Sequence, residues 1–171
     1  MPTPSTVYYR RARFRNNLAA ILRAAFPAEK LETCIVPDHS REEIAALPNR
    51  RLIFVRNGTQ SIDASEGDVG DRQCVFEVGV AGALSPLKAG GSSSEDYRQQ
   101  RMEESDDCDA LMQEIIELWS PTGQMSQLAS EDFSFRSLEV VPLDADKLYS
   151  SNVYLSIVRL TYYDTLDRVS P

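Results

Sequence analysis

The chain has 171 residues, 42% hydrophobic and 26% charged, the profile of a single globular domain, residues 1–171, able to bury a core of its own. Its 26 acidic residues outnumber 18 basic ones, for a net charge of -8, which disfavours tracking along a nucleic-acid backbone as the main activity. Three cysteines, Cys34, Cys74 and Cys108, are odd in number and spaced for neither a disulfide framework nor a zinc site, so they read as reduced cytosolic thiols. The first residues lack the apolar core of a signal peptide and no run approaches membrane-spanning length, so no membrane partner is expected.

From Pro4 to Phe26 a Pro-Ser-Thr start is followed by Val7, Phe14, Leu18, Ile21, Leu22 and Ala25 on one side of a helix that Pro27 ends. Arg10, Arg11, Arg13 and Arg15 crowd its first half, where the helix dipole disfavours cations, which makes them candidates for a subunit or partner interface. The plain alternative is a solvated polar face. A short apolar run, Glu32 to Val36, leads to a brief helical stretch, Arg41 to Leu47. Arg51 to Arg56 is a strand, Asn57-Gly58 a turn, and Thr59 to Asp71 a broad loop. Gln73 to Ala81 returns as a strand whose even positions, Cys74, Phe76, Val78 and Val80, are expected to face the core and to pair with Leu52 and Phe54 across a hairpin.

Composition then shifts to Gly90-Gly91-Ser92-Ser93-Ser94, giving a flexible insertion at about 83–105. Asp106, Asp107 and Asp109 open a second main helix with an apolar stripe of Cys108, Leu111, Met112, Ile115, Leu118 and Trp119. Phe133 to Val141 is a further strand, and Ser151 to Leu166 a long closing one. In that last strand Val153, Leu155 and Ile157 fall on one face and Tyr154, Val158, Leu160 and Tyr162 on the other. Neither face is plainly wet, so Tyr154 and Tyr162 are candidate interface residues. The fold class that results is α+β: a mostly antiparallel sheet with two main helices packed on one face.

No motif of catalysis or cofactor binding stands out. The lone histidine, His39, sits in Asp38-His39-Ser40 as a turn residue, and Cys34 lies in an apolar run where a thiol packs and its pKa rises. The acidic cluster Glu103 to Asp109 lacks the ligand spacing and glycine of a calcium loop, and no glycine pair has the partners of a phosphate loop. The expectation is no enzyme, no catalytic residue, no cofactor and no metal.

The order of an arginine-bearing helix, an RRLIFVR strand, a FEVGVAG strand, a loop, an LMQEIIELW helix and a closing NVYLSIVRLTYYDTL strand resembles the tail terminator proteins of long-tailed bacteriophages, over about residues 6–166. The resemblance implies an antiparallel sheet packed on helices and a hexameric ring that caps the tail tube. Its partners would be further copies of itself, the tail tube protein, a neck or head-completion protein, and DNA that passes through the lumen without specific binding. It implies a place in the virion after assembly in the host cytoplasm. The Gly/Ser insertion departs from shorter members. Other neck, minor tail or baseplate proteins share this texture, and a nucleic-acid-associated module or a small cytosolic enzyme is the alternative from another class.

Overall fold

A computed structural model describes residues 4–34, 38–62, 72–86, 95–120, 123, 125, 133–141 and 151–164. In chain order the elements are α1 (Pro4–Ala25), β1 (Lys30–Thr33), α2 (Arg41–Ala45), β2 (Arg51–Ile62), β3 (Arg72–Ala83), α3 (Glu95–Glu117), β4 (Phe133–Val141) and β5 (Val153–Asp164). The strands form one five-stranded sheet in the order β1-β2-β3-β5-β4. Only β1 runs parallel to its neighbour, with Leu31 beside Ile53; the other pairings are antiparallel. The fold is α+β, with α1 and α3 on one face of the sheet.

α1 keeps its shape because its apolar residues recur at helical spacing: Phe14, Leu18, Ala19 and Leu22 are all buried. Phe14 is the keystone of an aromatic cluster, its ring centroid 5.0 Å from Phe76, 4.8 Å from Phe133 and 4.7 Å from Tyr162. α3 adds Cys108, Leu111, Met112 and Ile115 to the same core. α2 lies against a second, smaller core of Ile44, Leu52, Phe54, Ala81 and Ala83. Its start is fixed by a capping box, in which Glu43 N donates to Ser40 Oγ at 3.3 Å and Ser40 N donates to Glu43 Oε2 at 2.7 Å.

Antiparallel register decides which side chains share each core. β2 and β3 do form a hairpin pair, but Leu52 lies opposite Ala81, Ile53 opposite Val80, and Phe54 opposite Gly79. Directly opposed residues point to the same face, so it is Ile53 and Val55 that join the even residues of β3, while Leu52 and Phe54 face α2 with the odd ones. The expected pairing of Leu52 and Phe54 with Cys74, Phe76, Val78 and Val80 is thereby corrected. Gly79 is the position that permits this packing, because a Cβ there would run into the Phe54 ring. Gly79→Ala is expected to cost about 1–3 kcal/mol by overpacking, read as a lower urea midpoint at unchanged slope.

Asn57-Gly58 is not a turn. β2 continues to Ile62, with an irregularity between Asn57 and Gln60 where the register with β3 shifts. The disrupted ladder leaves carbonyls to satisfy, and Arg11 reaches across from α1: its Nη2 donates to Gly58 O at 3.1 Å and to Val75 O at 3.4 Å.

The insertion read as flexible at about 83–105 is also corrected in part. Ala83 still belongs to β3 and α3 begins at Glu95; residues 87–94 lie outside the described residues. The early turns of α3 are tied to the end of the hairpin. Glu104 accepts from Ser85 N at 2.6 Å and from Ser85 Oγ at 2.7 Å, and Arg101 donates to Ser85 O and, at 2.9 Å, to Asn152 Oδ1.

β5 meets the chain itself on both faces. Tyr154, Val158, Leu160 and Tyr162 are buried in the main core, and Val153, Leu155 and Ile157 pack on the smaller one. Tyr154 and Tyr162 are 1% and 0% exposed, so their assignment to an intersubunit contact is corrected: they are core residues, and the apolar character of their face serves α1 and α3. Trp119 Nε1 donates to the Tyr162 hydroxyl at 3.0 Å, and the Tyr154 hydroxyl donates to Asp109 Oδ1. Burial pushes the Tyr162 phenol up to about 12; burial first, then the bond to Asp109, raises that of Tyr154. Both phenols stay neutral at ordinary pH, Tyr154 as a donor and Tyr162 as an acceptor.

Candidate functional site

The two long helices that share one face of the sheet carry opposite charge. α1 holds five arginines and no acidic residue, whereas α3 holds nine acidic residues and two arginines. The arginines of α1 divide into two sets. Arg10 is turned inward, its Nη2 2.7 Å from Asp164 Oδ2, with side chains 13% and 1% exposed. Arg11 also serves the subunit, bonding to β2 and β3 and stacking 5.7 Å from the centre of the Phe76 ring. These two are corrected from interface candidates to internal ties. Arg13 is exposed and Arg15, bonded to its neighbour Asn16, is half-buried. The exposed side of α1 therefore carries Arg13 and Arg23 together with Ala20 and Ala24, while α3 exposes Met102, Glu103, Asp106, Asp107, Glu114 and Glu117 along its length.

The thiol of Cys34 is held above its ordinary pKa, chiefly by burial, and Cys34 packs against the smaller core. His39 turns to the glutamates: Nε2 lies 2.6 Å from Glu32 Oε2 and Nδ1 4.0 Å from Glu43 Oε2. That bond is the main reason the Glu32 carboxyl sits below its ordinary pKa. A carboxyl with a depressed folded-state pKa contributes stability above its unfolded pKa and loses it as pH falls through the folded value. His39→Ala is accordingly expected to move the Glu32 titration back up toward the ordinary carboxylate range, followed through its side-chain carboxyl carbon by NMR, and to remove that share of the acid-side stability change.

A cleft of about 620 Å³ opens beside the start of β2. Its walls are Ala28 and Glu29 from the turn after α1, Asn49, Arg50 and Arg51, Ala83 at the end of β3, and Glu104, Asp107 and Cys108 of α3. Arg51 donates to Glu29 Oε1 from Nη2 at 2.7 Å and from Nε at 3.2 Å, and to the Asp107 carbonyl at 2.8 Å. Arg50 pairs with Glu104 at 3.2 Å and has a left-handed backbone, φ 52°, a conformation that costs a non-glycine residue about 1–2 kcal/mol. The Cys108 thiol packs in the main core, where burial pushes its pKa up to about 12. Glu29 Oε2 is buried and has no hydrogen-bond partner among the described residues.

On the opposite face of the sheet four strands contribute one registered row of charge. Arg56 stands opposite Glu77, Glu77 opposite Arg159, and Arg159 opposite Glu139. Arg56 Nε is 2.5 Å from Glu77 Oε2, Arg159 Nε is 3.1 Å from Glu77 Oε1, and Arg159 Nη1 is 4.0 Å from Glu139 Oε2. Neither this row nor the cleft follows from local sequence. The available signal was Glu77 and Arg159 interrupting apolar strands, and only the register shows that they meet.

Among the described residues no group of three or more His, Cys, Asp or Glu side chains could hold a metal ion, and no helix is long and apolar enough to cross a membrane. No family model matches the chain, and no curated protein does.

Proposed function

We propose that this chain is a structural subunit of a phage virion, a tail terminator that closes into a hexameric ring on the end of the tail tube and faces a neck or head-completion protein. The observation that carries the ring is the charge polarity of the helix layer: a wholly basic α1 and a predominantly acidic α3 stand on one side of the same subunit. Two different, complementary patches on identical subunits favour head-to-tail contact, and such contacts either close into a ring or run on as a filament. The layout resemblance to tail terminators favours closure, since a protein that ends a tube has to stop its own growth. The net charge of -8 suits a lumen through which DNA slides without specific binding.

Exposed ion pairs supply about 0–1 kcal/mol each, so the charges set register and rate, and apolar contact supplies the affinity. Met102, 65% exposed within the acidic helix, is the apolar side chain placed to do this, with Ala20 and Ala24 of α1 allowing close approach. Arg13→Glu with Arg23→Glu is expected to weaken association by about tenfold or more in analytical ultracentrifugation, with circular dichroism checking that the fold is kept. Adding Glu103→Arg and Asp106→Arg to the same chain restores the complementarity and the assembly. Association that is indifferent to the first pair of changes speaks against the helix layer as the contact.

A further inference from the structure

α2, which lies against the smaller core, has five residues, too few for a helix to stand on its own backbone bonds. Packing and polar ties hold it. Ile44 is buried in the smaller core, Arg41 Nε donates to Leu84 O at 2.7 Å, and the capping box closes the first turn. His39 adds a tie to the edge strand β1. Its Nε2 lies 2.6 Å from Glu32 Oε2 on β1, and its Nδ1 faces Glu43 Oε2 on α2 at 4.0 Å. A carboxylate only accepts hydrogen bonds, whereas a neutral imidazole has one donor nitrogen and one acceptor. Only the imidazolium suits both carboxylates at once; the neutral ring turns a lone pair toward one of them.

We propose that His39 is the pin of a pH-sensitive latch: as imidazolium it fastens the start of α2 to β1, and on losing its proton it lets α2 open from the smaller core more often. The latch is independent of the assembly reading. The charges around the ring favour the cation. On β1, Lys30 lies 3.5 Å from Glu32 Oε1. On α2, Arg41 is engaged with Leu84 O and lies 3.7 Å from Glu42. Asp38 precedes the ring in sequence, and Cys34 stays a neutral thiol because burial raises it. Glu32, Glu43 and Asp38 thus outweigh Lys30. Contacts that only an imidazolium makes are present below the range in which an imidazole titrates, about pH 5–8, and are lost as pH rises through it. Both glutamates sit below the ordinary carboxylate range, Glu32 chiefly through His39 and Glu43 chiefly through the backbone of Ser40, and their share is lost as pH falls through those lowered values. The latch is therefore closed in mild acid and opens on either side.

The test is amide hydrogen exchange of the full chain by NMR between about pH 5.5 and 8, each rate divided by that of the unfolded chain at the same pH. The amides of Ile44 and Ala46, which donate to Ser40 O and Glu42 O, report on local opening of α2. Val78 and Val158, buried in the main core, report on the whole domain. The His39 and Glu32 side chains are both 30% exposed, so the effect is modest. Protection at Ile44 and Ala46 is expected to fall about threefold or more across the titration of the His39 ring carbon, with Val78 and Val158 unchanged. His39→Gln, neutral at every pH, is expected to hold both amides at the low, alkaline level of protection throughout. Glu32→Gln keeps a polar partner for the ring, removes the charge, and is expected to reduce the fall. Protection at Ile44 and Ala46 that stays level through the His39 titration overturns the proposal, and so does an undiminished fall in a folded His39→Gln protein. A fall shared equally by Val78 and Val158 also overturns it, since the opening is then that of the domain and not of α2.

Discussion

Tyr162→Asp is expected to unfold the domain, not to release a folded monomer. Tyr162 is fully buried, packs edge-on to Phe14, Phe76 and Phe135, and accepts from Trp119. A carboxylate at that place loses the ring contacts, leaves the indole N–H without its acceptor, and is buried without a cation. Effective penalties for an unpaired buried ion are several kcal/mol, to be set against a total stability of about 5–15 kcal/mol. Circular dichroism in urea should show the midpoint collapse or vanish. Tyr162→Phe separates the contributions: it keeps the rings and removes one hydrogen bond, for an expected loss of about 1–3 kcal/mol. A folded, monomeric Tyr162→Asp protein would mean that this strand face is not in the core.

The second large effect is expected at Glu77, the centre of the charged row. Its side chain is 9% exposed and bridges Arg56 and Arg159, whose side chains are 22% and 46% exposed. Glu77→Ala leaves two guanidiniums on either side of β3 with no carboxylate between them. Breaking a buried pair costs about 3–5 kcal/mol, but the partial solvation of both arginines reduces this, and about 2 kcal/mol is expected. Glu77→Ala combined with Arg159→Ala should recover part of that loss, because one of the two guanidiniums left without the Glu77 carboxylate goes with it. Equilibrium unfolding of the two single variants and the double variant measures the coupling; a strictly additive result would show that Arg159 and Glu77 do not interact.

How much of this was legible before the structure depends on where burial leaves a pattern. α1 was readable to within a residue, because Phe14, Leu18 and Leu22 all face one core and the polar positions between them do not. The early part of α3 was not, since Glu95 to Ser105 is almost wholly polar: a helix that buries little there shows no apolar stripe, and the neighbouring Gly/Ser run drew the boundary too late. The facing of β2 was undecidable for the opposite reason. Leu52, Ile53, Phe54 and Val55 are four successive apolar residues, all buried, so alternation carries no information in a strand covered on both sides. The same double covering made Tyr154 and Tyr162 look like surplus apolar surface. Of the arginines, sequence identified the cluster, but whether each points inward turned on partners far along the chain: Asp164 for Arg10, and the irregularity at Gly58 for Arg11. The cleft and the charged row bring together residues from the turn after α1, β2, β3, α3, β4 and β5, and no local signal could have assembled them.

The ring is the central claim, and the mass of the native assembly tests it most directly. Native mass spectrometry of the purified chain, at rising concentration and with tail tube protein added, is expected to show one closed species at six times the 19.1 kDa subunit, with no ladder of larger multiples. A chain that stays at the mass of one subunit under both conditions, or that grows into an open series without a preferred size, contradicts the account.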